Sequence, residues 1–105
     1  MGNFVYLSVR VISIKKLKDF WQRHKSAGQP LRAWYTEAKK ANWNKPADIL
    51  KSYRTASILK NERVVFNIKG NDYRLIVAVN YPHQIVYIRF VGTHSEYDKI
   101  DANTV

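Results

Sequence analysis

Three apolar runs separated by short turns constrain this chain more than any other feature. Residues 63–68, 73–80 and 85–91 are rich in Val, Ile, Tyr and Phe, the side chains that suit a half-buried pleated surface. Between them stand Lys69-Gly70-Asn71-Asp72 and Tyr81-Pro82-His83-Gln84, both turn signals. Strands joined this tightly form an antiparallel meander. Residues 3–12 offer a further strand at its edge.

The first half has a different period. Ser13 stands where it can cap a helix in which Ile14, Leu17, Trp21 and His24 share a face, with Phe20 beside them. Lys15, Lys16, Lys18 and Arg23 are left for solvent, and Ala27-Gly28 ends the helix. Pro30 suits the first position of a second helix. Leu31, Trp34, Tyr35, Ala38 and Ala41 then recur at helical spacing, with Arg32, Lys39 and Lys40 off the stripe. Amphipathic helices usually bury such stripes. Asn44-Lys45-Pro46 breaks the pattern. A short helix over about residues 47–53 follows, with Asp48 in its first turn, and residues 55–61 read as connection. Helices packed on one face of a three- to four-stranded antiparallel sheet make an α+β fold. With 105 residues, no repeat and no linker, residues 1–105 form one domain.

Composition narrows the chemistry. There is no cysteine, which excludes disulfides, thiolate zinc sites and cysteine nucleophiles together. No segment approaches the roughly 18 apolar residues that span a membrane. The apolar stretch 4–14 carries Arg10 and has no basic segment before it, unlike a secretory signal, so the expected location is the cytoplasm. Eighteen Lys and Arg against eight Asp and Glu give a formal charge of +10. Proteins tolerate this self-repulsion most readily when the partner is a polyanion. Nucleic acid, an anionic membrane surface and an acidic protein all qualify at this point.

Most catalytic motifs are missing. The three histidines lie far apart without metal-ligand spacing, so neither a metal nor another cofactor is expected. Gly70 has no second glycine at a phosphate-loop interval, and no serine stands in a nucleophile elbow. Tyr6, Trp21, Trp34 and Trp43 have the faces to stack on bases, although three of them fit the helix stripes or a turn better.

The segment after the last strand is more informative. Thr93-His94-Ser95-Glu96 fits the capping box and starts a last helical turn from His94 to about Ile100. RNA cleavage by the 2′-hydroxyl needs groups that take and give a proton, with cations for the developing phosphorane charge. Arg74, Arg89, His94 and Tyr97 are the right types, and adjacent strands carry the two arginines. Equally, Arg74 could snorkel from a strand edge, and Tyr97 could be a core residue with a wet hydroxyl.

The run from Val64 to Leu75 (VVFNIKGNDYRL) resembles the HigB-type toxin family. So does the run from Tyr87 to Asp101 (YIRFVGTHSEYDKID), together with Gln29–Tyr35 and the Lys45–Ile49 turn. The likeness extends over about residues 10–105. It implies a RelE-like fold and a ribosome-dependent endonuclease that cleaves mRNA without a metal and so inhibits translation. It also implies a HigA-type helix-turn-helix antitoxin, through whose complex alone operator DNA would be contacted. By this resemblance Arg74 matches the strand arginine that contacts the scissile phosphate. His94 falls near a basic catalytic residue after the last strand, and Tyr97 resembles a proton-transferring tyrosine, at a shorter spacing. The superfamily's lysine pair is replaced by Val65 and Asn67. Lys60, Asn67, Lys69 and Arg89 are then the expected RNA-binding residues. Family members begin near Arg10, so residues 1–9 read as an extension or an edge strand. The competing reading, favoured by the missing lysine pair, is a non-catalytic basic RNA-binding module.

Overall fold

The computed structural model describes residues 8–105. The three expected strands lie at the centre of a sheet, as β3 (Arg63–Ile68), β4 (Tyr73–Asn80) and β5 (Ile85–Thr93). They pair antiparallel, with Asn67 opposite Arg74 and Arg74 opposite Gly92. The first turn closes through left-handed backbone at Lys69 (φ 53) and Gly70 (φ 64).

Two short strands widen the sheet to five, in the order β1-β5-β4-β3-β2. β1 (Arg10–Ile12) pairs parallel with β5. The sheet is therefore mixed, not purely antiparallel as expected. The long helical connection between β1 and the meander is what makes a parallel pairing possible. β2 (Ser57–Ile58) adds to β3 within the stretch read as connection. Both its residues are exposed, so it carries no alternating pattern to read. Of the expected edge strand 3–12 and extension 1–9, residues 1–7 lie outside the described residues.

The helices follow their stripes with shifted ends. α1 (Ile14–Arg23) buries Leu17 and Phe20. Ser13 is its N-cap residue, yet at φ 70 its side chain makes no capping bond. α1 stops four residues before the expected break, and a 3₁₀ turn (Lys25–Ala27) joins it to α2 (Gly28–Lys40). Pro30 is thus the third residue of α2 rather than the first, where its missing N–H is still one of the donors a helix start leaves free. α2 buries Leu31, Trp34 and Ala38. α3 (Pro46–Ser52) has proline at its start and Asp48 in its first turn.

Strand alternation gives the sheet two faces. Val64, Phe66, Leu75, Val77, Val86 and Ile88 meet Leu17, Phe20, Leu31, Trp34 and Ile49 in the main core. On the other face Val65 and Ile76 are covered by Phe90, Tyr97, Ile100, Ala102 and Val105. The C-terminal segment therefore forms a thin second layer on that face, and its first residues stand against Arg74. Buried Gln84 ties the β4–β5 turn to the α2–α3 loop, accepting from the Trp43 N–H (3.0 Å) and donating to the Trp43 and Tyr81 carbonyls (2.6 and 2.8 Å).

Candidate active site

Arg74 sits on the sheet face opposite the helices, between Asn67 of β3 and Gly92 of β5. Its guanidinium is held from three sides. One terminal nitrogen donates to the Asn71 carbonyl at 2.9 Å and reaches that of Tyr73 at 3.4 Å. The other lies 3.0 Å from Nδ1 of His94. The Arg74 Cζ stands 5.5 Å from the centre of the Tyr97 ring, within range of a cation–π attraction. A guanidinium only donates, so in this pairing Nδ1 of His94 accepts. Its neutral ring then carries the proton on Nε2, which lies 3.5 Å from a carboxylate oxygen of Asp98. His94 and Asp98 are exposed, while Tyr97 and Arg74 are half-buried.

His94 and Tyr97 are held by α4 (His94–Tyr97), the expected last helical turn, which ends short of Ile100. Beyond it the chain continues in tight three-residue steps, Lys99 N–H to Glu96 O and Ile100 N–H to Tyr97 O. The expected capping box is present. The Thr93 hydroxyl accepts from the Glu96 N–H (3.2 Å), and the Glu96 carboxylate accepts from the Thr93 N–H (2.8 Å). That backbone N–H chiefly holds the Glu96 carboxyl below its ordinary range, with the Thr93 hydroxyl, His24 and Arg23 adding to the effect. The His94 N–H reaches back to Asp72 O at 3.2 Å, so the β3–β4 turn carries both α4 and the anchor of Arg74. Gly92 lies at a close approach: a Cβ there would lie 2.5 Å from Phe90 Cζ and 3.0 Å from a Glu96 carboxylate oxygen, so both side chains would have to shift.

The structure brings Arg74, His94 and Tyr97 together and separates the expected RNA-binding residues. Asn67 is beside Arg74 and donates to the Thr55 carbonyl at 3.1 Å. Lys69 is exposed in the adjoining turn, 3.4 Å from Asp72. Lys60 precedes the opposite end of β3, where its N–H bonds Asn103. Val65, at the other lysine-pair position, is buried. Arg89 falls at an irregularity of β5, between Ile88 opposite Val77 and Phe90 opposite Ile76. Its Nε donates to the Val105 carbonyl at 3.2 Å, and it borders a cleft against α1. Of the aromatics considered for stacking, Trp34 and Trp43 are buried, Trp21 packs at the core margin, and Tyr6 lies outside the described residues. Two contributors carry little or no signal in the sequence. Asp98 was detectable from its i,i+4 spacing to His94, whereas Asn71 acts through a backbone carbonyl and leaves no side-chain signal. Among the described residues no cluster of three or more His, Asp or Glu could hold a metal, and no helix is long and apolar enough to cross a membrane.

Comparison with known proteins adds to this geometry. The chain is 30% identical over 92 residues to the mRNA interferase toxin HigB of Escherichia coli (strain K12), covering 86% of this chain and 88% of that protein. An mRNA interferase HigB of Shigella flexneri matches with the same identity and coverage. That of Escherichia coli O6:H1 is 20% identical over 94 residues, covering 88% and 91%. The family model HigB_toxin, described as the RelE-like toxic component of a toxin–antitoxin system, matches residues 27–100, the span from the start of α2 through α4. The chain therefore belongs to the HigB_toxin family of RelE-like toxic components of toxin–antitoxin systems.

Proposed function

We propose that this protein is an mRNA interferase that cleaves messages on the ribosome, by attack of the 2′-hydroxyl on the adjacent phosphate. The observation that carries the reading is the convergence of Arg74, His94 and Tyr97 on the sheet face away from α1–α3. Arg74 is the phosphate ligand: its fork geometry suits a phosphate, and it stabilises charge that grows in the transition state. His94 and Tyr97 move the protons. One leaves the 2′-oxygen as it bonds phosphorus; the other joins the 5′-oxygen as its bond to phosphorus breaks, leaving a cyclic phosphate. With Nδ1 engaged by Arg74, Nε2 is the His94 atom that meets substrate, in exchange for Asp98. Asn67 and Lys69 border this patch and are assigned to the RNA chain beside the reacting phosphate. The three side chains supply the acid–base and charge-stabilising groups the reaction needs, and the mechanism uses no metal.

On this reading the partners are mRNA on the ribosome and an antitoxin of the HigA type. The protein works in the cytoplasm and meets operator DNA through the antitoxin complex. Expression without antitoxin tests it, comparing wild type with Arg74→Ala and His94→Ala. Wild type arrests growth and cuts translated messages. Removing the Arg74 guanidinium lowers cleavage about 10²–10³-fold. A second reading, a non-catalytic RNA-binding module, draws on the absence of cations at Val65 and Asn67. It predicts RNA binding without cleavage, and Arg74 no more important than other cations.

A further inference from the structure

Beyond Arg74, one feature of this fold has the make-up of a second phosphate site. Among the described residues β1 pairs with Ile85, Val86 and Tyr87 of β5 and no strand covers the rest of that β5 edge. α1 runs beside it and leaves a cleft of about 270 Å³. Lys16, Asp19 and Arg23 border it from the helix, and Arg89, Phe90 and Val91 from the strand. The helical three share a side at i, i+3 and i+7. Asp19 pairs with Lys15, which is not part of the lining, at 2.9 Å. Lys16 and Arg23 form no ion pair among the described residues, and Arg89 spends only its Nε on the Val105 carbonyl. Lys16, Arg23 and Arg89 thus outnumber Asp19 around the cleft, and a bound polyanion would relieve their mutual repulsion.

The cleft also adjoins the reaction centre. Arg23 is near enough to Glu96 of α4 to help lower its carboxyl pKa, and Phe90 lies against Gly92, the register partner of Arg74.

We infer that the α1–β5 cleft is a second RNA subsite, in which Lys16, Arg23 and Arg89 hold a backbone phosphate flanking the one at Arg74. The inference rests on the RNA-cleaving reading and adds a site to it. The probe is a short single-stranded RNA with a non-cleavable 2′-O-methyl backbone, titrated against the protein across a salt series. Lys16→Gln/Arg23→Gln is compared with wild type and with Lys39→Gln/Lys40→Gln, an equal loss of charge in the exposed last turn of α2. The cleft variant is expected to bind on the order of tenfold more weakly at moderate salt. Its log–log salt slope should be shallower by about 0.7, the contribution of one phosphate neutralised on a single strand, with the α2 variant close to wild type. Equal behaviour of the two double variants, or no measurable wild-type binding at low salt, overturns the inference. So does a cleft variant that binds RNA normally but is no longer neutralised by co-expressed antitoxin, since the cleft would then take an acidic protein segment. Wild type that binds through the cleft yet cleaves no message instead removes the enzymatic reading and leaves the subsite standing.

Discussion

Replacing Gly92 with alanine puts a methyl group into the contact between β5 and α4. The new Cβ would lie 2.5 Å from Phe90 Cζ, 3.0 Å from Phe90 Cε1 and 3.0 Å from the Glu96 carboxylate oxygen. A separation of 2.5 Å is far inside the optimum of roughly 3.5–4.0 Å for carbon pairs, so the ring must swing away. Phe90 packs over Val65 and Ile76 with the C-terminal segment, and its movement opens that layer. Overpacking of this kind costs about 1–3 kcal/mol. Displacing Glu96 also strains the capping box of α4, for which about 0.5–1 kcal/mol is reasonable. Together these come to about 1.5–4 kcal/mol, or a Tm lower by on the order of 10 °C. Urea denaturation of Gly92→Ala and of Gly92→Ala/Phe90→Leu measures it. The smaller leucine side chain should return at least half of the loss, because the clash is with the ring. A Gly92→Ala cost under about 0.5 kcal/mol, or no recovery in the double variant, would refute the close approach as the reason for glycine here.

Thr93→Ala removes the hydroxyl that accepts from Glu96 N–H and should cost about 1 kcal/mol, with cleavage falling further than stability because α4 carries His94 and Tyr97. The Glu96 carboxyl is lowered in the folded state, so its contribution is fully present above the ordinary carboxylate pKa and is lost as pH falls through the folded value. Acid titration of stability should therefore show a shallower loss for Glu96→Gln than for wild type; parallel curves would contradict this. Gln84→Ala leaves the Trp43 N–H and carbonyl without the partner they now share and should cost at least about 2 kcal/mol, read as a lower urea midpoint with an unchanged slope.

The fold was legible wherever a period was long enough to read. The β-branched and aromatic runs and the turns that bound them fix the ends of β3 and β4 to the residue, and the helical stripes identify Leu17, Phe20, Leu31 and Trp34 as core. β1 and β2 were less legible, because three and two residues carry no resolvable period. Ser13 has the right side chain for a cap, but its left-handed backbone turns that side chain away from the role. Within the site, Arg74, His94 and Tyr97 could be grouped because the hairpin register and the capping box both bear on them. Lys60 could not be sorted from Lys69 by residue type: register puts them at opposite ends of β3. Arg89 is redirected by an irregularity in β5 pairing, which has no signature in side-chain alternation. Lys16 and Arg23 read as a solvated helix face. Only the path of α1 beside the edge of β5 makes them a cleft.

Sequencing the 5′ ends of transcripts during antitoxin-free expression tests the central claim most directly, namely that Arg74, His94 and Tyr97 form an RNA-cleaving centre. Wild type should generate new 5′ ends inside translated reading frames, and these should vanish when the start codon of a reporter message is removed. Arg74→Ala should reduce them about 10²-fold or more at equal protein levels. New ends at the same abundance in wild type and Arg74→Ala, or none in either, would contradict the assignment.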